Sequence, residues 1–110
     1  REGTGNGFDL ELIQMVSEAV TIPLIAHGGA ASVSHVRDAV SQAGADAVSV
    51  ASMLHYAALN RNSSLLDKFE DEGNIEFLKK NSSFKIFGSE NLTDVKRSLA
   101  QNKIPLRVQN

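Results

Sequence analysis

Two short apolar runs each end in residues small enough to leave the backbone bare, and these ends are where the chain has the means to do chemistry. Ile22-Pro23-Leu24-Ile25-Ala26 runs into His27-Gly28-Gly29-Ala30-Ala31-Ser32, and Asp46-Ala47-Val48-Ser49-Val50 runs into Ala51-Ser52. Each run reads as a buried parallel strand, and each small-residue turn leads into a helical pattern. Bare N–H groups at a helix start cradle anions, because the unpaired donors and the helix dipole both favour negative charge there. Two such cradles at the same ends of neighbouring strands would grip one phosphate from two sides. Gly28, Gly29 and Ala51 would offer backbone donors, and Ser52 a backbone donor and a hydroxyl.

Each of these residues has a blander role to weigh. Gly-Gly is common turn punctuation, and the second small-residue turn one strand later is what favours phosphate. Ser52 also suits a helix N-cap, a role compatible with anion binding. Gly3 and Thr4 open a glycine-rich loop through Gly7. The Thr4 hydroxyl and nearby amides suit a second phosphate or its sugar, or else satisfy their own backbone. Glu2 on its own residues reads as a solvated loop carboxylate. His27, at a strand end, suits donation to a phosphate or proton exchange near neutral pH, or else a backbone-bonded, half-buried place. His35 reads as solvated on the polar side of a helix, and His55 as packing at the mouth of the site. Three scattered histidines lack the spacing of a zinc site. Met15 and Met53 read as core fillers.

The elements that position these residues follow from local signals. Asp9 sits where an N-cap belongs, with Leu12, Ile13, Val16 and Val20 at helical spacing behind it. Thr21 and Pro23 stop that helix. Ser32 or Ser34 caps the next, with Val36, Ala39 and Val40 on its apolar side, and Ala43-Gly44 closes it with a left-handed signal. Loop, helix, strand, helix, strand is a βαβ unit with a helix in front, and such units build parallel sheets. Met53 to Leu59 reads as a short helix, Asn60 to Ser64 as a polar break, and Leu65 to Glu72 as another short helix. Residues 75–87 show no clean period. Asn91 caps a helix through Gln101, with Asp94 in its first turn and Leu92, Val95 and Leu99 on one face. Residues 104–108 read as a short extended tail.

Composition narrows the class. The chain has 110 residues, 42% of them apolar, a net charge of −2 and no cysteine. That is enough for one small domain, and it carries no basic surface for nucleic acid or an anionic membrane. Disulfides and cysteine-ligated metal are excluded, and a reducing, cytoplasmic setting is expected. No apolar run approaches the roughly 20 residues that span a bilayer, and no leader is expected. The chain starts inside a loop with no strand to feed it, so it reads as a piece of a larger protein.

Several short motifs in fixed order carry a family resemblance. Glu2-Gly3-Thr4 to Gly7-Phe8-Asp9, Ile22-Pro23 to Gly28-Gly29-Ala30, Gly44-Ala45-Asp46-Ala47 and Ala51-Ser52-Met53-Leu54-His55-Tyr56 resemble the cyclase-subunit family of imidazole glycerol phosphate synthase. Asp94-Val95-Lys96 to Ile104-Pro105-Leu106-Arg107 is similar to that family's last helix and tail. The resemblance implies an α/β fold, the C-terminal part of a (β/α)8 TIM barrel: helix 6, strand 7, helix 7, strand 8 and a decorated helix 8. Residues 1–110 then form a single partial barrel domain with an insertion at about 60–90. Phosphate binding at the last two strands is a habit of such barrels.

The resemblance also implies a reaction. Ammonia from a glutaminase partner meets an open-chain phosphorylated nucleotide, an imidazole ring closes, and a carboxamide nucleotide leaves. Two carboxylates at opposite sides of the barrel mouth serve as acid and base. One lies on the first strand, outside this chain. The other precedes the Gly-Thr of the sixth loop, which places it at Glu2, where the family usually has Asp. His27 stands where the family usually has a small hydroxylic residue. No cofactor and no metal are implied. A sister group of the same fold, working with an amidotransferase on an acetamido-sugar for surface polysaccharide, is the alternative, and a non-catalytic phosphate-binding remnant is a second.

Overall fold

The computed structural model describes residues 1–61 and 90–107. The expectations for residues 62–89, including the helix at Leu65 to Glu72, lie outside the described residues, as does Val108 at the tail.

A loop over residues 1–8 leads into α1 (Leu10–Ala19), followed by β1 (Ile25–His27), α2 (Val33–Ser41), β2 (Ala47–Ser49), α3 (Ser52–Arg61) and α4 (Leu92–Gln101). The order matches the local signals, and α3 runs two residues past Leu59, taking in residues 60–61 where the polar break was expected. Asp9 caps α1, its carboxylate accepting from the Leu12 N–H at 3.2 Å. Val20, included in the helical spacing, is instead the extended cap residue, so α1 stops one residue short of it. Ser32, rather than Ser34, caps α2. Gly44, at φ +77°, ends that connection: the Ala45 N–H returns to the Ala39 carbonyl at 3.0 Å, while the Ser17 hydroxyl donates to the Gly44 carbonyl at 3.2 Å. Asn91 and Asp94 form a reciprocal capping box on α4.

Strands β1 and β2 pair in parallel, with Ile25 opposite Ala47, Ala26 opposite Val48 and His27 opposite Ser49. Asp46 sets this register. Its carboxylate accepts the Leu24 N–H at 2.8 Å while its own N–H donates to the Leu24 carbonyl at 2.9 Å. The strands are shorter than their apolar runs and are not buried on both faces. Ala26 and Val48 face the helices; Ile25, His27, Ala47 and Ser49 form an exposed face, with Ile25 65% and nearby Ile22 70% exposed. Alternation across a pleat explains the split, since helices cover only one face of this sheet among the described residues.

The core lies between that covered face and the helices. Ala26, Val36, Ala39, Met53, Val95 and Leu99 are all buried and packed together, with Ile104 beside them. Met53 fills the core as expected, but Met15 does not: it is 66% exposed, and Leu12 and Val20 are exposed too. The face of α1 that turns inward carries Leu10 and Ile13 instead. Leu92 is likewise exposed, leaving Val95 and Leu99 as the buried face of α4. Among the described residues no helix is long and apolar enough to cross a membrane.

Candidate functional site

Because His27 and Ser49 are register partners, the chain leaves both strands at one edge of the sheet. Gly28 and Gly29 follow β1 there; Ala51 and Ser52 follow β2. Gly28 and Gly29 have φ of +98° and +93°, a region that side-chain-bearing residues avoid. The loop over residues 1–8 crosses directly above them. A Cβ at Gly29 would run into the Gly7 carbonyl, and one at Gly28 would lie 3.5 Å from the Glu2 nitrogen. The Gly7 N–H donates to the Gly29 carbonyl at 2.8 Å, joining the two glycine segments.

At the second turn, the Ala51 carbonyl accepts the His55 N–H at 3.0 Å. Ala51 therefore takes the cap position, and Ser52 is the first helical residue rather than the cap. Its N–H and those of Met53 and Leu54 belong to the first turn, which has no intrahelical acceptors. At α2 the situation differs. The His35 N–H goes to the Ser32 hydroxyl at 3.4 Å, and the Ala31 N–H to His35 Nδ1 at 3.1 Å. These two amides are spent inside the protein, which leaves the Gly28-Gly29 turn itself as the part of this cradle nearest the strand edge.

Glu2 and His27 meet at this edge. Glu2 Oε2 lies 2.8 Å from His27 Nε2, and His27 Nδ1 lies 3.3 Å from the Ser49 carbonyl oxygen. Both contacts are satisfied together when each ring nitrogen carries a hydrogen. Both side chains are about half exposed. Glu2 is thus not a carboxylate held by water alone, and His27 joins the two readings open to it: bonded to backbone, yet accessible at the strand end. Beside them Arg1 pairs with Asp9 at 3.5 Å. The Thr4 hydroxyl donates to the Arg1 carbonyl at 2.7 Å and receives the Asn6 N–H at 3.4 Å, so it satisfies its own loop.

Two histidines differ from expectation. His35 is half-buried, not solvated: it holds Ala31, and its ring lies where a Gly7 side chain would go. The signal was its spacing, four residues after Ala31 at a helix start. His55 is exposed, its ring meeting Tyr56 edge-on at 5.6 Å. Among the described residues no three His, Cys, Asp or Glu side chains are placed to hold a metal ion.

β1, α2 and β2 thus form a βαβ unit with a glycine-lined strand edge. The model of the family described as histidine biosynthesis protein matches residues 1–60, and the chain belongs to that family. It is similar to the imidazole glycerol phosphate synthase subunit HisF of three bacteria. It is 51% identical over 55 residues to that of Nitratidesulfovibrio vulgaris (strain DP4), which covers 50% of this chain and 21% of the relative. It is 54% identical over 55 residues to that of Myxococcus xanthus (strain DK1622), covering 50% and 22%. It is 49% identical over 61 residues to that of Lachnoclostridium phytofermentans, covering 56% and 24%. The matched stretch is therefore under a quarter of the length of these relatives.

Proposed function

We propose that this chain is the C-terminal part of a TIM barrel, the cyclase subunit of imidazole glycerol phosphate synthase. Residues 1–110 form one partial barrel domain, with an insertion at about 60–90. The family match ends at residue 60, within the last turn of α3. With a glutaminase subunit supplying ammonia, the whole protein closes the imidazole ring of a phosphorylated nucleotide in histidine biosynthesis.

The observation that carries this reading is the strand register. It delivers Gly28-Gly29 and Ala51-Ser52 to a single edge, the geometry that two-sided phosphate binding needs. Gly28, Gly29, Ala51 and Ser52 hold the substrate phosphate, Gly3 and Thr4 border it, and His27 flanks the same edge. Glu2 is one of the two carboxylates that move protons; its counterpart lies on a strand outside these residues. The exposed sheet face is then the barrel interior.

The test uses the full-length protein with its glutaminase, assayed for ring closure with glutamine or ammonium as nitrogen source. Ser52→Ala removes one hydroxyl donor to a charged oxygen, and should raise KM about tenfold with kcat nearly unchanged. An unchanged KM refutes the phosphate contact, and absence of ring closure by the unaltered protein refutes the reading.

A further inference from the structure

We propose that His35 is a positioning residue for the phosphate turn: its imidazole takes up the Ala31 N–H and so fixes the turn whose Gly29 and Ala30 N–H groups receive the anion. The inference rests on the phosphate reading of Gly28-Gly29 and Ala51-Ser52. A backbone cradle binds well only when its donors are set in place before the anion arrives. The turn after β1 is poorly equipped to set itself. Gly28 and Gly29 stand at φ +98° and +93°, and Ala30 and Ala31 carry one side-chain carbon each. None of the four can hold the path of the chain with a polar side chain.

His35 supplies the restraint from the first turn of α2. Its N–H donates to the Ser32 hydroxyl at 3.4 Å, while its Nδ1 reaches back to accept the Ala31 N–H at 3.1 Å. This is a reciprocal closure of the helix start, with an imidazole doing what a Glu or Gln does in a capping box. Because Nδ1 accepts, it carries no hydrogen, and the neutral ring bears its hydrogen on Nε2. The other edge of the ring lies against the loop above: a Cβ on Gly7 would stand 3.3 Å from Cδ2 and 3.4 Å from Nε2. Gly7 in turn donates its N–H to the Gly29 carbonyl at 2.8 Å. The imidazole therefore holds the turn twice, directly at Ala31 and through Gly7 at Gly29. Between those two holds, the Gly29 and Ala30 N–H groups have no acceptor among the described residues, although both residues are buried. Unpaired amides in a buried turn are rare, and they suit a charged acceptor from outside the chain.

The experiment uses the full-length protein with its glutaminase. It measures KM and kcat for ring closure, inhibition by inorganic phosphate, and the imidazole ¹⁵N resonances of His35. In the unaltered protein the resonances should show the hydrogen on Nε2 and a bare Nδ1; a hydrogen on Nδ1 overturns the inference before any variant is made. His35→Ala should raise both KM and the phosphate inhibition constant about tenfold, with kcat within about twofold. His35→Asn, whose Oδ1 can accept the same N–H, should recover most of that loss. His35→Phe keeps a ring against Gly7 but has no acceptor, and should not. Recovery by Phe as complete as by Asn would show that the ring only fills space, and a lowered melting temperature with unchanged KM would show a purely structural role; either overturns the inference. If phosphate inhibits the unaltered protein and His35→Ala equally, the positioning role falls while the phosphate site stands. If phosphate does not inhibit the unaltered protein and Ser52→Ala leaves KM unchanged, the phosphate reading itself falls, and this inference with it.

Discussion

Gly29 shows how one position can be fixed by its own backbone and by a neighbour at once. Its φ of +93° and the Gly7 carbonyl beside it exclude any side chain. Gly3 has a similar φ of +72° but open space around it. The two positions therefore separate backbone strain from close approach. Gly3→Ala should cost about 1 kcal/mol of stability, the ordinary penalty of a left-handed alanine. Gly29→Ala should cost about 2–3 kcal/mol, because the loop above must also move. Urea unfolding of the full-length protein measures both, and equal losses would show that the Gly7 carbonyl does not constrain the turn. The Gly-Gly signal was legible in the sequence, but the identity of what presses on it was not. Likewise Glu2 and His27 each stood out by type and place, while their contact at 2.8 Å did not. His35 departs from a solvated place for a related reason: an imidazole at a helix start can turn back onto a backbone N–H or out to water, and the close approach of Gly7 goes with the first.

At the scale of elements, the termini were the most legible features. Asp9, Ser32, Gly44 and Asn91 all act where their local patterns placed them, since each works through atoms within a few residues along the chain. The helix faces were less legible. In α1, Leu12, Met15 and Ile13 all suit a core, yet only Ile13 packs inward. A helix of ten residues with apolar side chains on more than one side has no unique buried stripe until a partner selects one. Helix α4 is clearer: Val95 and Leu99 are buried against the core, and Leu92 stays exposed. Leu99→Ala should destabilise the protein by about 2–5 kcal/mol, and Leu92→Ala by well under 1 kcal/mol. Thermal and chemical unfolding check the contrast, and similar losses would mean that α4 docks by another face.

At the scale of the whole molecule, the open sheet face dominates. Ile22 and Ile25 are exposed beside His27 and Ser49, and Leu12 and Met15 are exposed on α1. In a complete barrel the sheet face would be interior and the helix covered by its neighbours. Expressed alone, these 110 residues should bind an apolar dye, self-associate in light scattering and show no ring closure with ammonium. Turnover by the isolated chain would show that no carboxylate from elsewhere is required. The sequence by itself determined the order of elements, their capped ends and the small-residue turns that follow the two strands. These depend on hydrogen bonds and sterics that reach only a few residues along the chain. Tertiary structure alone decided which apolar side chains became core, how far the strands extend, and that Glu2 is held by His27 while His27 is held by Ser49. Those pairings join residues remote in sequence, and their distances exist only after helices and strands have docked in one register.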